Sequence, residues 1–218
     1  MKPFIAFFDL DNTLLSGSSG SHLIRYSYKN GLLGRSELLY GFYSSLLYRA
    51  KCMDAGEIVG RWIMKYRGWP EKKIRDFCAR FFEDVLVHHV RPEALETVEF
   101  HRSNGAKTII LSASTTYICE PVRKHLAMDD CICTSLEVHN GVLTGRLAGK
   151  YCYGAEKLNR VILYCASGPC SLEDAFYYAD GAADLPVLEK VGFPMCVTPD
   201  RRLKRVALLR KWPVLRWR

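Results

Sequence analysis

The sequence has no apolar run long enough to cross a bilayer. Its most lipid-like stretch, Leu38 to Tyr48, falls short of the roughly 20 residues a spanning helix needs. No secretory leader is expected: the apolar run from Phe4 to Leu10 is brief and is interrupted by Asp9. There is no internal repeat and no low-complexity segment. Nine cysteines are present, but no CxxC pair, and the histidines complete no zinc spacing. Scattered cysteines of this kind fit reduced thiols. A cytoplasmic protein is expected.

Acidic residues are missing from one place in particular. Residues 201–218 carry eight of the 31 Lys and Arg and no Asp or Glu, so the other 200 residues carry as many bases as acids. The net charge of +8 is therefore local, and no nucleic-acid partner is expected from it. The tail, with Trp212 and Trp217, reads either as an ordinary C-terminus or as a contact with an anionic membrane surface. The stretch from Leu38 to Lys51 has the same two readings. Its aromatic and aliphatic residues can pack a small helical domain, or they can form an apolar face edged by Arg49 and Lys51 for peripheral membrane contact.

What the chain does have is an ordered alternation. Phe4 to Phe8 reads as a buried strand, short and continuously apolar. It ends in Asp9-Leu10-Asp11-Asn12-Thr13, and the Ser/Gly stretch 16–21 follows as a hinge. From there to about residue 88 only helical patterns occur. Beyond residue 91, helices and strands alternate: helix 92–103, strand 108–111, helix 116–127, strand 131–134, an Asn140-Gly141 hairpin, helix 156–166, strand 175–179, helix 185–191, strand 194–197 and helix 201–211. This implies an α/β fold, a Rossmann-like parallel sheet with helices on both faces. The expected domains are a core of residues 1–15 and 90–218, with a helical cap, 16–89, inserted after the first strand.

Ligands in such sheets bind at the carboxyl ends of the strands. Asp9, Ser112 and Asp180 each fall at such an end. Phosphoryl transfer needs an in-line nucleophile, a proton donor for the leaving oxygen, and cations to neutralise phosphate. Asp9 and Asp11 can supply the first two. Asp180 and Asp184 can hold Mg²⁺, which prefers oxygen ligands. Lys157 and Ser112 are candidates for the phosphate clamp. Each has a plainer reading: Asp11 or Asp184 as helix N-caps, Lys157 as a solvated helix lysine, His22 as a structural histidine.

The motifs resemble those of the haloacid dehalogenase superfamily. Asp9-Leu10-Asp11-Asn12-Thr13 resembles its DxDxT motif; Ile109-Ile110-Leu111-Ser112 resembles its second. Lys157 looks like the third-motif lysine, and Asp180-Gly181-Ala182-Ala183-Asp184 resembles the acidic fourth. The long insertion is similar to the cap of the phosphoserine-phosphatase-like subfamily IB. This resemblance implies a Mg²⁺-dependent phosphomonoesterase. Asp9 would attack phosphorus to form an aspartyl-phosphate, and Asp11 would serve as acid and then base. Ser112 and Lys157 would bind phosphate. Asp9, the backbone carbonyl of Asp11, and Asp180 would hold the metal, with Asp184 in its shell. Ser18 and His22 are candidate substrate contacts. Ser18 stands nine residues after Asp9, where the phosphoserine enzymes carry an amine-binding glutamate. The expected substrate is therefore a phosphorylated small molecule or lipid headgroup without a required ammonium group. The alternatives are phosphoserine itself, or a non-catalytic membrane- or ligand-binding module on the same scaffold.

Overall fold

The computed structural model describes residues 4–49 and 55–218, without the side chains of residues 42, 44–49 and 55. Lys51 and the side chain of Arg49, which would edge the apolar stretch from Leu38, lie outside the described residues. Strand β1 (Ile5–Phe8) is central. It pairs in parallel with β2 (Lys107–Thr115) on one side and β6 (Ala175–Ala179) on the other. The six-stranded sheet runs β3-β2-β1-β6-β7-β8, with β3 Asp130–Thr134, β7 Phe193–Val197 and β8 Val214–Leu215.

Strand side chains alternate between faces, and this alternation divides the core in two. Ile5, Phe7, Ile109, Leu111 and Tyr177 pack beneath α7 (Ala155–Ala166), α8 (Leu185–Leu188) and α9 (Arg201–Arg210). Ala6, Phe8, Ile110 and Tyr178 pack beneath α5 (Pro92–Ser103) and α6 (Thr116–His125). Both faces are covered, which is why these strands read as unbroken apolar runs rather than as alternating ones.

The insertion after β1 comprises α1 (Ser19–Lys29), α2 (Arg35–Arg49), α3 (Ala55–Met64) and α4 (Glu71–Asp84), then a short 3-10 turn, Leu86–His89. Its two ends are drawn together by an antiparallel bridge between Leu15 and Val90, and Ser16 N–H donates to the His89 carbonyl at 2.8 Å. The packing of α4 is continuous with the core. Ile74, Phe77, Phe81 and Phe82 join one hydrophobic cluster with Tyr117, Ile118 and Val122 of α6.

The Asn140-Gly141 hairpin forms between β4 (Leu136–His139) and β5 (Val142–Leu147), with positive φ at both turn residues, 50° and 73°. That is the backbone a type I′ turn requires. Three backbone hydrogen bonds stitch this hairpin to the segment before α4: Gly68 N–H to Leu143 O, Leu143 N–H to Trp69 O, and Glu71 N–H to Gly141 O.

Several boundaries differ from the sequence reading. The helix expected over 185–191 stops at Leu188. β8 was not expected, because two residues after Pro213 carry no periodicity. β2 continues through Thr115, but its ladder with β3 is interrupted between Leu111 and Thr115. Ser112 thus sits where regular pairing breaks.

Candidate active site

Parallel strands end on the same edge of the sheet, and here that edge collects the polar groups. Asp9 follows β1 directly and Asp180 follows β6. One carboxylate oxygen from each of Asp9, Asp180 and Asp184 falls within 4.8 Å of the others. Lys157, in the first turn of α7, reaches into this group with only 3 % of its surface exposed. Its ammonium donates to Asp9 Oδ1 at 2.7 Å, to Asp184 Oδ1 at 2.7 Å and to Tyr177 Oη at 3.2 Å. An ammonium has three donors, so all three are used. Lys157 is not a solvated helix lysine. Asp184 precedes α8 at its N-cap position yet makes no side-chain cap bond; its Oδ1 accepts from Lys157 and Tyr177 instead.

The electrostatics follow from burying acids together. Burial pushes Asp9 well above the ordinary carboxylate range; Lys157 opposes this, while Asp184 and Asp180 add to it. Burial and Asp184 push Asp180 up to about 7. Burial alone would pull Lys157 down, but Asp184 and Asp9 outweigh it and hold the ammonium charged. One buried cation thus serves three carboxylates. A further positive charge would complete the balance, and an all-oxygen donor set suits a hard divalent ion such as Mg²⁺.

Asp11 is presented by a tight loop. Asn12 adopts a left-handed φ of 56°, a conformation Asn tolerates. The buried Arg91 guanidinium donates to the carbonyls of Asn12 and Leu15, at 3.3 and 3.4 Å. Asp11 Oδ1 accepts the Ser19 N–H, 2.9 Å away, at the start of α1. It thus satisfies one N–H of the first turn, although the N-cap of α1 is Ser18 and not Asp11. Burial raises its pKa, with the Ser19 hydrogen bonds opposing. Ser19 Oγ lies 2.9 Å from Ser114 Oγ, and Ser114 N–H donates to Ser112 Oγ at 3.1 Å. The hinge, the Asp11 loop and the Ser112 loop are linked in one hydrogen-bonded chain.

The remaining candidates sit at the base of the insertion. The Ser18 hydroxyl accepts from Ser21 N–H and caps α1. The His22 ring packs against His89, centroids 4.1 Å apart and planes tilted by 36°. Tyr177, Ser19 and Arg91 were not singled out in the sequence. Tyr177 left no signal of its own there, since Tyr178 beside it in β6 is also a tyrosine.

Residues 6–189 match the family model of haloacid dehalogenase-like hydrolases. An inhibition of morphological differentiation protein from Streptomyces azureus is 32 % identical over 214 residues, covering 96 % of this chain and 77 % of that protein. A histidinol-phosphatase from Neisseria meningitidis is 27 % identical over 98 % of this chain and 99 % of its own length. A crystal structure of a protein of unknown function from Bordetella pertussis shares the fold with a TM-score of 0.91, at 23 % identity and 99 % coverage of both chains. With its motifs gathered at one sheet edge, this chain belongs to the haloacid dehalogenase-like hydrolase family.

Proposed function

We propose that the protein hydrolyses small phosphate monoesters by way of an aspartyl-phosphate on Asp9, with Mg²⁺ as cofactor. The observation that carries this reading is the buried cluster of Asp9, Lys157, Asp180 and Asp184. Asp9, Asp180 and the Asp11 carbonyl would hold the ion, with Asp184 orienting its shell. When bound, Mg²⁺ supplies the charge that neutralises phosphoryl oxygens. The chain's own residues do the rest. An Asp9 carboxylate oxygen attacks phosphorus, and the bond to the leaving oxygen breaks. Asp11, whose pKa burial raises, gives a proton to that oxygen. It then takes a proton from the water that attacks the phosphorus of the acyl phosphate, releasing inorganic phosphate and restoring Asp9. Lys157 neutralises charge on the phosphoryl group, and Ser112 donates a hydrogen bond to it.

The helical insertion, 16–89, serves as a cap over this edge and chooses the leaving group. Ser18 is occupied in capping α1 and offers no carboxylate to an ammonium, which favours an uncharged or anionic leaving group, in a free metabolite or a lipid. The similarity to a histidinol-phosphatase supports a second reading, an amine-bearing phosphate.

Turnover of an aryl phosphate with Mg²⁺ tests the chemistry. Asp9→Asn should abolish turnover, and trapping of labelled phosphate on the wild-type chain should fail in the variant. Full activity in Asp9→Asn would overturn the mechanism. A panel of phosphoserine, histidinol phosphate, sugar phosphates and lipid phosphates, ranked by kcat/KM, tests the substrate. Preference for the amine-bearing members would favour the second reading.

A further inference from the structure

The basic tail has no part in the chemistry above, yet its arrangement is specific. Helix α9 buries Leu203 and Ala207, four residues apart, against the sheet. Its other side is exposed. Arg201, Arg205 and Leu208 recur there at spacings of four and three, and Arg202, Arg205 and Leu209 at three and four, so all lie on one face of the helix. Leu208 is 66 % exposed and Leu209 76 %. Two adjacent leucines in water are unusual beside so many cations, and together they form a patch rather than a stray exposed residue. Beside the helix's last turn, on another side of it, is a groove of about 350 Å³ whose lining includes Leu188, Glu189, Phe193, Arg210, Trp212 and Pro213. Phe193 is itself half exposed there.

We propose that this exposed face of α9 forms a docking surface for an anionic lipid membrane. Three features select that partner. Of the eight cations in 201–218, only Arg210 is engaged in an ion pair among the described residues, with Glu189 at 2.7 Å. The surface therefore attracts an anionic layer. The same charge disfavours pairing of this face with itself in a second copy, since the two would repel. Nucleic acid would use the cations but has no use for exposed leucines, whereas an interfacial helix sinks apolar side chains below the headgroups while Lys and Arg meet the phosphates.

The docked surface would also border the catalytic edge. Asp200, which caps α9, accepts from the Ala182 N–H at 2.9 Å, and its own N–H donates to the Asp180 carbonyl at 2.8 Å. An α9 lying flat on a membrane therefore brings the acidic catalytic loop to the level of the headgroups. The docking itself does not depend on the identity of the substrate.

The test is sedimentation of the full chain with phosphatidylcholine vesicles, with and without phosphatidylglycerol. Binding is expected only to the anionic vesicles and should fall at least tenfold with Arg201→Glu plus Arg205→Glu. Leu208→Ser plus Leu209→Ser should remove the fraction of binding that survives high salt. All four residues face solvent, so thermal stability and aryl-phosphate turnover of the soluble enzyme should not change. No binding to anionic vesicles at low salt would overturn the proposal. So would binding indifferent to the leucines, or equal capture by an acidic polypeptide, either of which would mark a general electrostatic patch.

Discussion

Tyr177 places its hydroxyl 2.5 Å from Asp184 Oδ1, on the same oxygen that accepts from Lys157. The phenol also accepts from Lys157 at 3.2 Å, so three groups from β6, α7 and the loop before α8 close a triangle. Burial, then Asp184, raise the phenol's pKa well above its ordinary value, so it stays a donor. This leaves Asp184 Oδ2 free for the metal shell and keeps Lys157 directed at Asp9.

Tyr177→Phe keeps the ring packing and deletes the two hydrogen bonds. The Asp184 carboxylate would lose its fixed orientation. Removal of such an outer partner costs on the order of 10-fold to 100-fold in metal affinity or activity. The expected outcome is a lower kcat and a higher Mg²⁺ half-saturation, with KM little changed. Folding should weaken by only about 1 kcal/mol. A titration of Mg²⁺ followed by calorimetry separates these effects from mere destabilisation. An unchanged Mg²⁺ affinity would show that Tyr177 is only a packing residue.

The pH dependence of the metal-free protein has a definite sign. Asp180 has its pKa raised from 3.8 to about 7, by burial first and by Asp184 second. The folded state therefore holds a proton that the unfolded state releases near 3.8. The stability this contributes is intact below that value and is lost as pH rises toward about 7, by on the order of 4 kcal/mol. Mg²⁺ needs the ionised carboxylate and displaces the proton, so its stabilising effect should grow over the same window. Melting curves with and without Mg²⁺ at about pH 5 and about pH 8 measure this linkage. An equal Mg²⁺ effect at both would rule out Asp180 as a ligand.

Much of this site was legible in the sequence because strand ends are. An apolar run halted by Asp9, and another halted by Asp180, predict two carboxylates on one edge once the strands are taken as parallel. The Asn140-Gly141 turn was legible for a similar reason, since its residues are those that accept positive φ. Tyr177 was not, because its partner is reached across the fold: Lys157 lies 20 residues away on the helix above. Ser19 acts through its own backbone N–H on the Asp11 carboxylate, and Arg91 acts on the Asn12 carbonyl; no spacing rule encodes such contacts. β8 is too short for periodicity, and the α8 boundary depends on how the chain turns into β7.

Gly192 offers a check on that turn. Its N–H donates to the Leu172 carbonyl at 2.9 Å, and a Cβ built there would lie 1.8 Å from the Glu173 carbonyl oxygen. The obstacle is backbone, which cannot swing aside as a side chain can. Gly192→Ala should therefore destabilise the protein by about 2–4 kcal/mol, while leaving the KM of the folded fraction unchanged. Chemical denaturation checks it. A neutral substitution would mean that the loop before β6 shifts freely.

The helical insertion should close as a cap through its hinge ends. Its packing argues that it does not move as one unit. Phe77, Phe81 and Phe82 of α4 belong to the core cluster, and the segment before α4 is stitched to the β4–β5 hairpin. The contacts to the catalytic loops are lighter. α1 touches them through Ser19 N–H to Asp11 and Ser19 Oγ to Ser114 Oγ, and His22 packs against His89 at the base. Closure over a substrate should tighten these light contacts first, since low-stability segments are where gating motions occur. Hydrogen exchange with Mg²⁺ and a phosphate-mimicking metal fluoride should slow in residues 16–23 and 88–91, with little change in α4. Exchange unchanged at both hinges would count against a closing cap. Equal slowing throughout α4 would instead show the insertion moving as a rigid block, with the hydrophobic cluster of Phe77 and Phe81 opening along with it.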